Sequence, residues 1–273
     1  MHSIKLILTD VDGTILPYGQ PEVPARTVAA FHKAIEAGIH VGVATGRNSS
    51  WVPRFFGGDT ICSSTSVASN GSEVFLDGER LREEHLDLAG LRQVVALLRE
   101  FPGTGMLLFY EGKPFLVQGR REDLALNFPS YADICQELEQ LPSEAPVKGN
   151  LFFGPLPDLE YQALVERLNA EVQTLDFDIP QPGFGNVMPH GSNKGTAIDV
   201  LAQALGIGLD QVVVFGDNGN DVSMLSHVPN SVAVANASPE AKSAARWHVG
   251  PCEDQAVGQA IEELAAGRWP FTS

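Results

Sequence analysis

A short apolar run near the start of the chain ends in two carboxylates, and no other stretch limits the fold as strongly. Residues 4–8 are too few for a helix core and rich in Ile and Leu, which favours a buried strand. Asp10 and Asp12 follow this run, and Gly13 comes next. Because alternate strand residues share a face, a turn at Gly13 would let both carboxylates converge beyond the sheet edge. A polar turn would use the same residues, but crowded carboxylates repel each other, and Mg²⁺ relieves that repulsion.

Composition and charge argue against several classes of partner. The chain has 273 residues, of which 44% are hydrophobic and 19% charged, so one large domain or two smaller ones are possible. The formal net charge is −16, and the sequence contains no basic stripe. Nucleic acids and anionic membranes favour clustered Lys and Arg, so we expect neither as a partner. No stretch approaches the length needed to span a membrane.

The cysteines and the N-terminal run indicate a reducing compartment. Cys62, Cys135 and Cys252 are scattered without the spacing of a metal site or a disulfide framework, which is typical of small buried thiols. The N-terminal apolar run is short and is interrupted by Asp10 and Asp12, unlike a signal peptide. We therefore expect a cytoplasmic protein.

Strand and helix patterns alternate over the first part of the chain. We predict a helix over residues 24–37 and a buried strand over residues 39–44. A strand-like stretch surrounds Ile61, and the tight-turn pair Asn70-Gly71 follows it. This alternation with short connections is typical of a parallel sheet covered by helices.

Hairpin patterns replace this alternation after about Gly78. Tight turns between strands favour an antiparallel sheet within an α+β segment. The last helix of the segment would begin with Asp158 as its N-cap. Strands are predicted at residues 106–110, 113–117, 149–153, 172–177 and 184–188, and helices at 86–101, 123–128, 133–141 and 158–169.

The first pattern returns from Ser192 onward. Ser192 is predicted to cap a helix over residues 194–204, and an apolar strand follows at 212–215. Short strands and helices alternate from there to the end of the chain. We therefore predict an α/β fold in which a doubly wound, Rossmann-like parallel-sheet core is interrupted by an inserted α+β cap. The predicted ranges are 1–81 and 185–273 for the core and 82–184 for the cap.

Polar residues lie at the ends of predicted core strands or at the start of a helix. In open α/β sheets, ligands bind beyond the carboxyl ends of the strands. Carboxylates there suit Mg²⁺, whereas a hydroxyl, a lysine and the amides of a helix N-terminus suit a phosphate group. The residues placed in this way are Asp10, Asp12, Thr45, Lys194, Asp217, Asn220 and Asp221.

These residues and their neighbours resemble the four motifs of the haloacid dehalogenase (HAD) superfamily, in the correct order along the chain. The pair Asn70-Gly71 and the position of the cap are similar to the Cof-type phosphatases of that superfamily. The resemblance covers both core segments, but only the location and coarse composition of the cap. The motifs are Asp10-Val11-Asp12-Gly13-Thr14, Ala44-Thr45-Gly46-Arg47, Lys194-Gly195 and Gly216-Asp217-Asn218-Gly219-Asn220-Asp221.

The resemblance implies a role for each carboxylate. Asp10 would be the nucleophile that forms an aspartyl-phosphate, and Asp12 would be the general acid and then the general base. The Asp10 carboxylate, the Asp12 backbone carbonyl and Asp217 would bind Mg²⁺. Asp221 would hold a metal-bound water.

The resemblance also implies a phosphate site. Thr45, Gly46 and Lys194 would bind the phosphoryl oxygens, and Lys194 would offset negative charge where a carboxylate meets a phosphate. Asn220 would orient Lys194 or the phosphate.

Three further residues are candidate substrate contacts. Arg47 follows the second motif, although a surface arginine that opens a helix is an equal interpretation. Asn70 lies in the predicted tight turn. His190 precedes Lys194 near the predicted junction of cap and core, where a solvated or structural histidine is the alternative.

Together, the motifs favour a Mg²⁺-dependent phosphomonoester hydrolase. Asp12 would protonate a leaving alcohol, a step that carbon–halogen cleavage does not need, so phosphoryl transfer is preferred. A cap that closes over the core leaves little room for a macromolecule, which favours small phosphorylated metabolites, above all sugar phosphates. A phosphomutase of the same superfamily and a phospho-ligand-binding sensor without turnover are the alternatives. Both a monomer and a homodimer are compatible with the sequence.

Overall fold

A computed structural model describes residues 3–154 and 156–271, and the chain divides into two units. The core unit comprises Met1–Glu83 and Asn193–Ser273, and the cap unit comprises Glu84–Ser192. The sequence places the first boundary between residues 81 and 82, close to this division. It places the second between residues 184 and 185, whereas the structure ends the cap unit at Ser192.

Strands and helices alternate in the core unit, whereas hairpins dominate the cap unit. The elements in chain order are β1 (Leu6–Thr9), α1 (Ala25–Glu36), β2 (His40–Ala44), α2 (Val52–Phe55), β3 (Ser66–Ala68), β4 (Glu73–Leu76), β5 (Glu79–Glu83), α3 (Leu88–Leu98), β6 (Thr104–Tyr110), β7 (Lys113–Gln118), α4 (Arg121–Asn127), α5 (Pro129–Ile134), β8 (Gln136–Glu137), β9 (Lys148–Phe153), α6 (Asp158–Glu171), β10 (Leu175–Gln181), β11 (Phe184–Pro189), α7 (Lys194–Leu205), β12 (Val212–Gly216), α8 (Val222–His227), β13 (Asn230–Val234), α9 (Pro239–Ala244), β14 (Trp247–Val249) and α10 (Ala256–Ala265).

The core unit contains an eight-stranded sheet of order β14-β13-β12-β1-β2-β3-β4-β5. Neighbouring strands from β14 to β3 are parallel, and β3, β4 and β5 pair in an antiparallel arrangement. β1 and β12 are central and buried along their whole length. Their continuous apolar sequences are typical of parallel strands that are covered on both faces. The predicted doubly wound parallel core is confirmed.

The cap unit contains a six-stranded sheet of order β10-β11-β9-β6-β7-β8, which is antiparallel except for the pair β7–β8. Helices α3 and α6 pack against it through a buried cluster that includes Leu91, Phe153 and Leu164. Strand β11 pairs with β9 and β10. Because β11 lies between two cap strands, the structure places the end of the cap after this strand rather than at residue 184.

The predicted strand around Ile61 is wrong. Asp59 Oδ1 accepts hydrogen bonds from the backbone N–H groups of Ile61 (2.9 Å) and Cys62 (3.1 Å), which folds this stretch into a turn. A side-chain acceptor of this kind competes with the hydrogen bonds of a sheet. The strand begins only at Ser66.

Residues 133–141 are also not the helix that the sequence predicts. Helix α5 ends at Ile134, and β8 then pairs in parallel with β7. The Leu138 N–H continues this pairing by donating to the Leu116 carbonyl (2.9 Å). Pairing with a neighbouring strand therefore overrides the helix propensity of this Glu- and Leu-containing stretch.

Two predicted helix caps differ by one residue. Asn193, rather than Ser192, caps α7: its side chain accepts from the Thr196 N–H, and the Thr196 hydroxyl accepts from the Asn193 N–H. Asp158 is the first residue of α6, and the N-cap is Pro157. In both cases the residue beside the predicted one occupies the cap position.

Cys62, Cys135 and Cys252 are free and buried, as predicted for small apolar residues. Burial raises the pKa of Cys62 and of Cys252 to about 12. Both thiols are therefore protonated near neutral pH. In residues 3–154 and 156–271, no helix combines the length and apolar character required to cross a membrane.

Asp87 caps α3, and its removal should destabilise the cap unit. Its Oδ2 accepts hydrogen bonds from the Gly90 N–H (2.7 Å) and the Thr174 hydroxyl (2.9 Å), and these bonds lower its pKa below the ordinary 3.8. We expect Asp87→Ala to lower the free energy of unfolding by about 1 kcal/mol at pH 7. Because the folded-state pKa is depressed, the contribution is complete well above pH 4 and disappears as the pH falls through the folded pKa.

Chemical denaturation of the wild type and Asp87→Ala at pH 7 and at lower pH measures this difference. Glu160→Ala is a suitable control, because Glu160 is an exposed acid in the first turn of α6 and does not cap it. Its loss should stay below about 0.5 kcal/mol. Equal losses for the two variants, or a difference for Asp87→Ala that does not shrink in acid, would contradict the capping role.

Candidate active site

The end of β1 brings Asp10 and Asp12 to the carboxyl edge of the core sheet. The Asp10 N–H donates to the Phe215 carbonyl on β12 (2.8 Å), which fixes Asp10 beside the central strands. Gly13 then turns the chain with a φ of 79°. A Cβ at Gly13 would lie 2.5 Å from Asp217 Oδ2, so glycine lets this loop approach a third carboxylate.

Lys194, the first residue of α7, is fully buried between two carboxylates. Its Nζ donates to Asp10 Oδ1 (2.7 Å) and Asp221 Oδ1 (2.6 Å). Burial disfavours the ammonium charge, but Asp10 and Asp221 more than offset this effect, so the pKa of Lys194 is raised. The ammonium group therefore keeps its proton at neutral pH and supplies positive charge to the site.

Asp217 and Asp221 follow β12 and have different surroundings. Asp221 Oδ2 accepts from the N–H groups of Asp217 (2.9 Å) and Asn218 (3.0 Å), so both Asp221 oxygens accept hydrogen bonds. Asp217 Oδ1 accepts from the Thr14 hydroxyl (3.0 Å). Burial, followed by the charge of Asp221, raises the pKa of Asp217 to about 7. Burial also raises the pKa of Asp10, against the effect of the nearby lysine.

Asp10, Asp217 and Asp221 form a donor set that is compatible with a divalent cation. Their ligand oxygens lie within 4.8 Å of one another, and all three residues are buried. Lys194 supplies one positive charge to this group of three acids. The shortage of positive charge and the all-oxygen donor set fit a hard divalent cation such as Mg²⁺.

Hydrogen bonds connect the loops that contain Thr45, Asn70 and Asn220. The Asn70 N–H donates to the Thr45 carbonyl (3.1 Å), and Asn70 has a left-handed φ of 55°. Asn70 Oδ1 accepts from Asn220 Nδ2 (3.1 Å). A Cβ at Gly46 would lie 3.1 Å from Asn70 Oδ1, so Gly46 leaves room for this amide. Asn220 therefore bonds to Asn70, a contact that the sequence does not predict.

Arg47 binds the Asp12 carboxylate. Its Nε donates to Asp12 Oδ2 (3.0 Å) and its Nη2 to Asp12 Oδ1 (3.2 Å), and its backbone N–H donates to Thr45 Oγ1 (3.1 Å). A pair of parallel hydrogen bonds fixes the plane of the carboxylate as well as its position. Arg47 is thus a partner of Asp12, which neither sequence interpretation anticipated.

His190 is the one predicted site residue that lies in the cap unit. Its Nδ1 is 2.8 Å from Asp176 Oδ1, and Asp176 Oδ2 accepts from the Gly191 N–H (2.7 Å). These bonds fix the turn that follows β11, which agrees with the structural alternative for His190. The predicted site residues in the core unit are Asp10, Asp12, Thr45, Gly46, Arg47, Asn70, Lys194, Asp217, Asn220 and Asp221.

Sequence reasoning misses three supporting residues. The Thr14 hydroxyl donates to Asp217, and its place in the first motif is the sequence feature that could have indicated this role. Tyr18 lies beside the loop at Gly13, where an added Cβ would be 2.8 Å from the tyrosine hydroxyl, and no sequence pattern singles out this tyrosine. Glu73 is buried and accepts from the Ser69 hydroxyl (2.8 Å); its only signal was an acid within an apolar strand.

A comparison with known families identifies the family of this chain. Residues 7–261 match the family described as haloacid dehalogenase-like hydrolase. The chain belongs to this family. The matched range includes the whole cap unit and all of the predicted motifs, so the resemblance noted from four short motifs is confirmed.

Two relatives of the chain are phosphatases by name. The chain is 29% identical over 268 residues to the phosphoglycolate phosphatase of Pyrobaculum aerophilum, covering 96% of each protein. It is 28% identical over 269 residues to the HMP-PP phosphatase of Serratia proteamaculans, covering 94% of each protein. Family and relatives agree with the predicted enzyme class, a phosphatase.

A solved structure in the same superfamily shares the fold. The HAD subclass IIB sugar phosphatase BT4131 superimposes with a TM-score of 0.80 at 21% identity, over 95% of this chain and 98% of that one. Similarity at this level of identity supports the α/β core with an inserted cap.

Proposed function

We propose that the protein is a Mg²⁺-dependent phosphomonoester hydrolase that acts on small phosphorylated metabolites through an aspartyl-phosphate at Asp10. The buried bridge from Lys194 to Asp10 and Asp221 is the observation that carries this proposal. A phosphate dianion repels a carboxylate nucleophile, and the lysine supplies positive charge where the two meet. The bridge also lies at the carboxyl edge of the sheet, where α/β enzymes bind their ligands.

Asp10 would attack phosphorus through Oδ2, because Oδ1 is held by Lys194. The attack forms a bond between Oδ2 and phosphorus and breaks the ester bond, while Asp12 donates a proton to the departing alcohol. Asp12 then takes a proton from the water that attacks the same phosphorus atom. This second step releases phosphate and restores both carboxyl groups.

The pair between Arg47 and Asp12 adds a condition to this scheme. Both carboxylate oxygens of Asp12 accept hydrogen bonds from Arg47. Asp12 needs one of these oxygens to pass a proton to the departing alcohol, so the pair has to loosen when a substrate is bound. Arg47 would then contact the substrate, which joins the predicted substrate role to the observed pairing.

The Asp10 carboxylate, the Asp12 backbone carbonyl and Asp217 would hold Mg²⁺, with Asp221 beside them. When bound, the cation supplies positive charge to the phosphoryl oxygens. The Thr45 hydroxyl, the Gly46 backbone, Lys194 and Asn220 would bind the phosphoryl group from the protein side.

The substrate class is proposed from the relatives and from the net charge of the chain. Phosphoglycolate phosphatase, HMP-PP phosphatase and the sugar phosphatase BT4131 are all named for small phosphorylated molecules. A net charge of −16 disfavours polyanionic macromolecules. Small phosphorylated metabolites, with sugar phosphates first among them, fit these observations. The three free, buried cysteines support a reducing compartment such as the cytoplasm.

A phosphate-release assay over a panel of sugar phosphates, phosphoglycolate, HMP-PP and nucleotides tests the proposal. We expect free phosphate from small phosphomonoesters, with kcat/KM highest for one group of them. Transfer of phosphate between positions of one sugar without release would instead identify a phosphomutase. Tight binding without turnover would identify a sensor. Either result would overturn hydrolysis as the function.

Phosphate release should require Mg²⁺ and should fall when Ca²⁺ replaces it. Ca²⁺ accepts more oxygen ligands and a looser geometry, so it can engage both oxygens of Asp10 and hinder attack. The measurement compares the rates with Mg²⁺, after exhaustive chelation, with Mg²⁺ restored, and with Ca²⁺. A full rate after chelation would reject the metal assignment.

A further inference from the structure

A second group of possible metal ligands lies in the core unit, apart from the acidic cluster. It consists of His32 on α1 and of Asp59 and Cys62 in the turn before β3. One ligand atom from each residue lies within 4.8 Å of the other two. His32 Nε2 is 2.7 Å from Asp59 Oδ2.

The local backbone explains why these three side chains converge. Asp59 Oδ1 accepts from the Ile61 and Cys62 N–H groups, which closes the turn and carries Cys62 back toward the helix. Cys62 Sγ lies 4.0 Å from the Val28 carbonyl, and Val28 is one helical turn before His32. The helix and the turn thus present a nitrogen, an oxygen and a sulfur to the same point.

We propose that His32, Asp59 and Cys62 form a binding site for Zn²⁺ or a similar borderline transition-metal ion. Imidazole, carboxylate and thiolate are the ligands that Zn²⁺ takes in proteins, whereas Mg²⁺ and Ca²⁺ prefer oxygen alone. The His32 and Asp59 side chains are 38% and 24% exposed, so the ion can enter from solvent and keep a water as its fourth ligand. Cys62 binds as a thiolate, and its proton passes to solvent when the metal binds.

This site is separate from the catalytic edge of the sheet. The proposed catalytic residues follow the ends of β1, β2 and β12, whereas the turn with Asp59 and Cys62 leads into the start of β3. Because β1, β2 and β3 run in parallel, the catalytic residues lie at the carboxyl ends of these strands, whereas the turn with Asp59 and Cys62 leads into their amino ends. The two sites also differ in chemistry: the acidic cluster consists of three carboxylates, whereas the His32 site combines an imidazole, a carboxylate and a thiol.

Titration of the full-length protein with Co²⁺, a spectroscopic substitute for Zn²⁺, tests the proposal. We expect one equivalent of Co²⁺ to produce a thiolate-to-cobalt charge-transfer band in the near ultraviolet, and Zn²⁺ to displace it. Cys62→Ser should remove the band, and His32→Gln should weaken binding more than about tenfold. Cys135→Ser, Cys252→Ser and Asp10→Asn should retain it. Circular dichroism checks that each variant is folded.

The variants show whether the charge-transfer band arises at the His32 site. Absence of the band in the wild type would overturn the proposal and leave His32 and Asp59 as an ion pair that fixes a turn. A band that survives Cys62→Ser would place the thiolate elsewhere and would also overturn it. His32 is partly exposed, so His32→Gln still provides a test if Cys62→Ser does not fold.

Discussion

Replacing Asp10 with Asn should lower the rate of phosphate release by at least about a thousandfold, because an amide is a poor nucleophile and a weak metal ligand. The change is nearly isosteric, and the amide oxygen can still accept the hydrogen bond that Asp10 Oδ1 accepts from Lys194. Purified wild type and variant are compared at saturating substrate and Mg²⁺.

The fold should tolerate this substitution. Burial and three neighbouring acids raise the pKa of Asp10, so its charge is unfavourable in the metal-free protein. The melting temperature of Asp10→Asn without Mg²⁺ should therefore equal or exceed that of the wild type, as happens where activity is gained at the expense of stability. Asp199→Asn is the matched control, since Asp199 is exposed and pairs with His227 (2.7 Å). Near-wild-type turnover in a folded Asp10→Asn protein would remove Asp10 from the nucleophile role.

The core could be predicted from the sequence because its signals are local. Central strands such as Val212–Gly216 are continuous apolar runs, and a parallel sheet buries both of their faces. The same logic locates the carboxylates, since a polar residue directly after a buried strand must lie at the sheet edge. The positions of Asp10 and Asp217 at the sheet edge could therefore be predicted from the strands that precede them.

Partners that are distant in sequence could not be predicted in this way. Arg47 and Asp12 are 35 positions apart, and Asn220 and Asn70 are 150 positions apart. No spacing in the sequence predicts either contact, because each one depends on how two loops meet after the sheet has formed. A pattern of strands and turns fixes the loop positions but leaves the pairing of their side chains open.

The boundary of the cap shows a second limit of prediction from the sequence. The sequence predicts a strand at residues 184–188 within the hairpin segment, but the predicted boundary between residues 184 and 185 falls inside this strand, which is β11 in the structure. Its membership in the cap sheet depends on pairing with β9 and β10. Register between non-adjacent segments is a tertiary property, so a sequence pattern places the strand without naming its neighbours.

Replacing Lys194 with Met should abolish turnover and also destabilise the protein by about 3–5 kcal/mol, because it removes one partner from a buried ion pair. Lys194 is fully buried, and its Nζ contacts Asp10 and Asp221. Met fills a similar volume, so lost charge rather than a cavity dominates the effect. Lys113→Met, an exposed lysine in the cap unit, should change stability by less than about 0.5 kcal/mol.

A double-mutant cycle with Asp10→Asn tests whether Lys194 acts through the charge of Asp10. Unfolding by denaturant is measured in the presence of a chelator for the wild type, both single variants and the double variant. In the Asp10→Asn background one of the carboxylates that Lys194 compensates is already neutral. The loss of unfolding free energy caused by Lys194→Met should therefore be at least about 1 kcal/mol smaller in this background than in the wild type. Phosphate release, already lost in Asp10→Asn, should fall little further in the double variant. Additive losses of stability would mean that Asp221 alone holds the lysine, and the proposed pairing of nucleophile and ammonium group would then have no energetic basis.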